Sequence, residues 1–270
     1  MSVSSTTHPA SWRLTDADWN SWPAGLDDGA IFEQAAALGL EGVELGVYDA
    51  AVELAPGRLG QLERLASRTG LPVTAVLLSL PAERWPGGAL STQVERLAAQ
   101  VRACADACRS LGLAVLGLWP GADRPGADVL LGLQRCVDAA GEVRLAVEPK
   151  PGTVVAGTDD VLALCAEVDG LGVLLDTGHA FAAGEDPAAA VRRLGELLLH
   201  VHLGDARPGG GDDDLPCGRL NDFGSFIDAL DQTGFAGSAS FDLYGAVSAG
   251  GLQAAEALRE SRDHVLSRRT

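Results

Sequence analysis

The sequence predicts a (β/α)8 barrel of the TIM type, an α/β domain whose active site lies at the C-terminal ends of its strands. Three observations predict it. Short β-rich runs alternate with longer amphipathic segments, eight of each, which calls for parallel strands joined by right-handed crossovers. Eight such repeats fit the roughly 250 residues typical of the barrel. No glycine-rich phosphate turn follows the first strand, as an open doubly wound sheet would want.

Residues 1–9 are polar and aperiodic and read as a disordered tail, leaving 10–270 for the barrel domain. The first strand, SWRL near 11–14, is the weakest, and a helical pattern over 29–38 follows it. GVELGV (42–47) and a helix over 57–69 come next, then PVTAVLLSL (72–80) and a helix over 91–110. AVLGLW (114–119) precedes a helix over 126–140, and RLAVEPK (144–150) one over 158–167. The last three pairs are GVLLDTG (172–178) with 187–198, HVHLGD (200–205) with 222–233, and SASFDLYG (238–245) with 250–267. Gly39 and Gly112 stop helices, and Thr158-Asp-Asp starts one. RPGGGDDDLPCGR (207–219) is a long loop after strand seven, whose DDD at 212–214 reads as a solvated tip.

Hydrophobic residues make up 47% of the chain, enough for a sizeable core, while 20 basic against 37 acidic residues leave a net charge of −17. Such an acidic chain repels phosphate backbones and anionic lipid, so neither nucleic acid nor a membrane is an expected partner. Apolar runs such as LGVLLD fall far short of the ~20 residues a membrane span needs. The N-terminus has neither a basic start nor an apolar stretch of secretory type, so the expected location is cytoplasmic. The five cysteines (104, 108, 136, 165 and 217) show no metal-clip spacing, and the pair at 104 and 108 reads as packing on one helix face.

Barrel strands are covered on both sides, so polar residues toward their C-terminal ends are the informative ones. Four consecutive strands end in such residues: Glu148 and Lys150, then Asp176 and His179, then His200, His202 and Asp205, then Asp242 and Tyr244. Alternation puts Ala146, Glu148 and Lys150 on one side of their strand, and likewise His200 with His202 and Ser240 with Asp242. Glu148, Asp176, His202 and Asp242 therefore converge as three carboxylates and one imidazole, a donor set suited to one divalent ion such as Mn2+, Mg2+ or Co2+. The plain alternative is a buried, mutually hydrogen-bonded polar cluster.

The runs LAVEPK, LLDTGHA, LHVHLGD, GRLNDFG and SFDLYG, with AALGLEGVEL earlier, resemble the sugar phosphate isomerase/epimerase family, the xylose-isomerase-like TIM barrels. The likeness extends from about residue 29 to 245. It implies that Glu148, Asp176 and His202 hold one divalent metal, Mn2+ first, with Mg2+, Co2+ or Zn2+ also suited. It implies that His179, the histidine of D-x-x-H, touches substrate or metal, and that Glu44 ends strand two as a substrate-binding residue. It makes Arg219, in the GRLNDFG stretch, a candidate substrate contact. The departure is Asp242, where the family usually has glutamate: one methylene less puts both direct ligation and a two-glutamate proton shuttle in doubt.

Other residues carry weaker readings. Lys150 is the only lysine among 20 basic residues and stands at the mouth of the inferred site. A compact ammonium there could donate a proton or stabilise an enolate oxygen, or simply pair with Glu148 or Asp176. Tyr48 and Tyr244, the only tyrosines, fall at strand ends and either shape a substrate pocket or pack the rim. His200 reads as a buttress beside the metal ligand, while His8 and His264 lie near the termini without an evident role.

The expected function is thus a metal-dependent isomerase or epimerase of a small sugar- or polyol-like carbonyl substrate, with Glu148 as base and Lys150, His179 or Asp242 as its acid–base partner. A lyase or dehydratase, and an inactive ligand-binding barrel, are the alternatives. Apurinic-site endonucleases share the barrel and the D-x-x-H signature, but they need further histidines on early strands, and this chain has none between His8 and His179. A homo-oligomer is compatible with all of these readings.

Overall fold

In a computed structural model, which describes residues 11–121, 127–211 and 213–269, eight parallel strands close in sequence order, β1 pairing with both β2 and β8. They are β1 (Arg13–Ala17), β2 (Val43–Val47), β3 (Val73–Ser79), β4 (Val115–Trp119), β5 (Arg144–Val147), β6 (Gly172–Asp176), β7 (Leu198–Leu203) and β8 (Ser238–Phe241). Around them run α1 (Asp28–Ala37), α2 (Pro56–Thr69), α3 (Val94–Ser110), α4 (Ala127–Ala140), α5 (Thr158–Glu167), α6 (Pro187–Leu194), α7 (Gly224–Thr233) and α8 (Ala254–Arg268). The expected barrel is present. The expected tail at 1–9 lies outside the described residues.

The first strand starts two residues later than expected and runs on through Thr15 and Asp16. Its polar residues hide it in the sequence: Thr15 finds a partner on β8 and Asp16 one in the short helix that follows, although Asp16 Oδ2 has no hydrogen-bond partner among the described residues. Thr15 Oγ1 and the Ser240 Oγ of β8 lie 2.7 Å apart, and Asp16 Oδ1 accepts from Asn20 Nδ2 at 3.0 Å. β5, β6, β7 and β8 all end earlier than expected, each for a local reason. Pro149 has no N–H to continue β5, and Asp176 ends β6 by capping the turn of helix Thr177–Ala182. After β7, Asp205 fixes the following loop by accepting from Leu220 N, Asn221 N and Asn221 Nδ2. After β8, the Leu243 N–H donates to Asn20 Oδ1 rather than to a strand, and the helix Tyr244–Ser248 begins. Further short helices, Asp18–Ala24 and Ala50–Glu53, follow β1 and β2 on the same rim.

The main apolar core lies between strands and helices. A second, smaller cluster fills the barrel itself: Ala17, Trp19, Leu77, Ala146, Leu174 and Leu199. Cys104, Cys108, Cys136 and Cys217 are buried free thiols, consistent with packing. Among the described residues no helix is long and apolar enough to cross a membrane.

Candidate active site

Because β5 to β8 are adjacent, the polar residues just past their apolar strands share one end of the barrel. Asp176 divides its carboxylate between two tasks: Oδ1 accepts the His179 N–H at 2.9 Å as a helix cap, and Oδ2 is turned inward. The D-x-x-H spacing is therefore a capping geometry, which brings the His179 ring back over β5. His179 Nδ1 lies 3.1 Å from the Pro149 carbonyl and 3.3 Å from Glu148 Oε1. A carbonyl only accepts, so Nδ1 carries a proton.

His202 Nδ1 is the hub. It lies 3.5 Å from Glu148 Oε1, 3.8 Å from Asp176 Oδ2 and 3.8 Å from Asp242 Oδ2. The ligand atoms of Glu148, Asp176 and His202 fall within 4.8 Å of one another. Asp242, despite its shorter arm, brings its oxygen as near to His202 as Asp176 does. Its other oxygen, Oδ1, accepts from Trp19 Nε1 at 2.9 Å. Asn20 brackets the same residue through the backbone, donating to the Phe241 carbonyl at 2.8 Å and accepting from Leu243 N at 2.8 Å.

Do these residues fit a cation? His202 Nδ1 and Asp176 Oδ2 are fully buried with no hydrogen-bond partner among the described residues, and both face the same point. Buried polar atoms left this way are costly unless something fills the gap between them. Three carboxylates with one imidazole are the donors a hard or borderline divalent ion takes. The residues fit, and the protein carries a candidate metal site.

The electrostatics agree. Burial alone would raise Glu148, but His202, His179 and Lys150 outweigh it and hold the carboxyl below its ordinary value. Burial dominates at Asp176, which is raised, and at Asp242, pushed up to about 6 despite His202 and the Trp19 hydrogen bond. His202 goes the other way: burial would lower it, yet Glu44 and Glu148 raise it well above the usual imidazole range.

Above the carboxylates opens a cavity of about 270 Å³ that reaches Glu148, His179 and Asp242. Its walls are aromatic and come chiefly from the first half of the chain: Trp19 and Trp22, Tyr48 and Trp119, with Tyr244 from beyond β8. Gly46 makes room for this, since a Cβ there would stand 2.8 Å from Trp19 Cε3 and 3.0 Å from Trp22 Cη2. Lys150 lines the mouth, its Nζ 5.1 Å from the Trp119 ring centre.

Three sequence expectations need correction. Glu44 does not reach the cavity: it lies fully buried beneath it, its Oε2 2.7 Å from His200 Nε2 and 3.2 Å from His202 Nε2. Charge complementarity keeps it there, the two imidazoles holding its carboxyl low against the effect of burial. Arg219 does not line the cavity either; its guanidinium turns outward onto α8 and makes a two-pronged contact with Glu260, at 2.7 and 2.8 Å. Asp214 is no solvated tip: it is buried, lines the cavity and accepts from Gly245 N at 2.9 Å. The sequence reading also missed Asp16 and Asn20. Their signal was the polar spacing D-A-D-W-N, which a first strand ending at residue 14 leaves in a loop.

A family model described as the xylose isomerase-like TIM barrel matches residues 32–267. The chain belongs to that family. Among solved structures it is similar to a D-allulose 3-epimerase from Methylomonas sp., 19% identical with a TM-score of 0.77 over 96% of this chain and 98% of that one. It is also similar to an L-ribulose 3-epimerase, 19% identical with a TM-score of 0.75 over 95% and 94%. A probable 3-DHS dehydratase from Bacillus anthracis matches at 17% identity and TM-score 0.74, over 96% and 100%. At these identities the likeness is one of fold. In sequence it is similar to an inosose dehydratase from Lacticaseibacillus casei, 27% identical over 127 residues, which are 39% of this chain and 43% of that protein. The match thus spans less than half the length of the curated relative.

Proposed function

We propose that this protein is a divalent-metal-dependent isomerase or epimerase of a small sugar- or polyol-like carbonyl compound, with Glu148 as the base. The observation that carries the proposal is the pair of unpartnered buried atoms, His202 Nδ1 and Asp176 Oδ2, facing Glu148 and Asp242 on the floor of a cavity. Glu148, Asp176, His202 and Asp242 would hold the ion, Mn2+ first among candidates. A divalent cation there polarises neighbouring carbonyl and hydroxyl oxygens and so acidifies the C–H between them.

The remaining chemistry belongs to the side chains. Glu148 is held ionised by His202, His179 and Lys150 and takes the proton from the carbon beside the carbonyl. Lys150 at the mouth donates to the oxygen that gains charge. His179, its Nδ1–H anchored on the Pro149 carbonyl, presents a fixed ring to the cavity. Trp19, Trp22, Trp119, Tyr48 and Tyr244 offer faces to the C–H surface of a polyol and keep water out. A cavity of about 270 Å³ and a net charge of −17 favour a small molecule over nucleic acid. The buried free thiols accord with the reducing cytoplasm.

One observation favours a second outcome, elimination of water. Asp242 Oδ1 is occupied by the Trp19 indole, so only Oδ2 is open. Epimerisation needs a second base to return the proton on the opposite side, whereas elimination needs only Glu148 and an acid for the leaving hydroxyl. The dehydratases among the similar proteins accord with this outcome.

Protein purified without chelator should contain about one divalent ion per chain. In 2H2O with Mn2+, it should incorporate deuterium next to the carbonyl of a ketohexose or keto-cyclitol from a panel, and Glu148→Gln should abolish this. Loss of 18 mass units from the substrate marks elimination. Full turnover by metal-free protein in excess chelator, or an unchanged Glu148→Gln variant, refutes the proposal.

A further inference from the structure

Below the floor of the cavity the barrel holds a second polar layer that the proposed chemistry does not use. Glu44 of β2 reaches across the interior to β7 and meets two imidazoles with one oxygen, Oε2, at 2.7 Å from His200 Nε2 and 3.2 Å from His202 Nε2. The layer continues outward: His200 Nδ1 lies 3.0 Å from Ser238 Oγ, and Ser240 Oγ sits between His200 Nε2 at 3.4 Å and Thr15 Oγ1 at 2.7 Å. Glu44, His200 and His202 are each 0–1% exposed, so no water competes for these contacts. The distances from Oε2 to the two nitrogens are those of hydrogen bonds, not of ligands spread around an ion of their own.

We propose that Glu44 is a positioning residue that selects which nitrogen of His202 binds the metal. The inference rests on the metal site of the preceding section. An ionised carboxylate can only accept, so the Nε2 it touches must carry the hydrogen. In a neutral ring the lone pair then lies on Nδ1, the atom facing Glu148, Asp176 and Asp242 at 3.5–3.8 Å. A carboxylate behind a ligating histidine both fixes this tautomer and makes the ring a better donor. His200 has the supporting part. Its own N–H on the same Oε2, and its second nitrogen at Ser238, keep Glu44 from swinging toward the unpartnered side of its pocket, where Oε1 has no hydrogen-bond partner among the described residues. The ring is also fixed edge-on by His200 at 5.2 Å and by Trp19 at 5.5 Å, so the hydrogen bond sets the tautomer of a ring whose plane packing already determines.

Glu44→Gln tests this, because glutamine is isosteric but uncharged and can present its amide N–H to the ring. Mn2+ titration by calorimetry should show a 10–100-fold weaker Kd in Glu44→Gln, the usual cost of losing such a partner, and no measurable binding in His202→Ala. The second measurement needs no variant. With histidine labelled in 15N and the protein loaded with diamagnetic Zn2+, the His202 Nε2–H should appear as a downfield, slowly exchanging proton, with Nδ1 shifted by the metal. If the wild type binds neither ion, the metal site itself is overturned and this inference with it. Wild-type binding matched by Glu44→Gln, or Zn2+ found on Nε2, overturns the role of Glu44 alone.

Discussion

Lengthening Asp242 by one methylene, to the glutamate that the family resemblance would suggest, should weaken the site. The aspartate already reaches: its Oδ2 stands 3.8 Å from His202 Nδ1, against 3.8 Å for Asp176 and 3.5 Å for Glu148. It does so because Asn20 holds the backbone on either side of it and Trp19 holds its Oδ1 at 2.9 Å. An extra C–C bond adds about 1.5 Å, whereas metal–ligand distances tolerate about ±0.2 Å. The glutamate in Asp242→Glu must fold back and release the indole. A hydrogen bond to a charged group contributes about 1.5–3 kcal/mol, so Mn2+ should bind about one to two orders of magnitude more weakly. Calorimetric titration of both proteins gives the ratio, and tryptophan fluorescence reports whether Trp19 has lost its partner. If Asp242→Glu binds Mn2+ as tightly as the wild type or more so, the backbone and indole do not set the reach of this residue, and the reasoning fails.

Two further outcomes follow from single charged side chains. Burial pushes Asp16 up from 3.8 to about 7 against the hydrogen bond from Asn20, so the folded state binds its proton more tightly than the unfolded chain. Stability from this group is full below about pH 4 and is lost as pH rises toward 7. The total is at most about 4 kcal/mol at 1.36 kcal/mol per pH unit. Urea unfolding at pH 5 and pH 8 should show wild-type stability falling relative to Asp16→Asn, and parallel curves for the two proteins would contradict it. Lys150→Met should lower kcat by about 10²–10³ while Tm stays within a few degrees; a fully active variant would make the lysine a structural counter-ion.

The barrel and the floor of the site were legible for a common reason. Glu148, Asp176 and His202 break apolar strands at their C-terminal ends, and a buried charge in that place rarely lacks a task. Glu44 carried the same signature, yet its place beneath the cavity stayed hidden. Its partners His200 and His202 are some 156 and 158 residues away on β7, a strand that does not pair with β2, so nothing local in the sequence shows that the side chain crosses the interior to meet them. Asp16 and Asn20 escaped because two consecutive polar residues, Thr15 and Asp16, break the apolar run expected of a barrel strand, and their partners Ser240 and Asn20 appear only in the folded chain. Arg219 misled in the opposite sense. Its loop is tied down where the motif puts it, by Asp205 to Leu220 and Asn221, but the arginine side chain finds Glu260 on the outside.

The split between an acidic floor from β5 to β8 and an aromatic wall built largely from the first half has a consequence for how such a barrel can diversify. Substitutions at Trp22, Tyr48 or Trp119 alter what fits above the carboxylates while leaving every member of the Glu148, Asp176, His202 and Asp242 set untouched. Under the proposed function, drift in one half-barrel can therefore change what is bound while the carboxylate and imidazole set stays in place. Trp19 is the exception: it belongs to the wall and also bonds Asp242. Under the same proposal, a lineage that changes this tryptophan alters the wall and the anchoring of Asp242 at once, which makes residue 19 a place where divergence of specificity touches the chemistry.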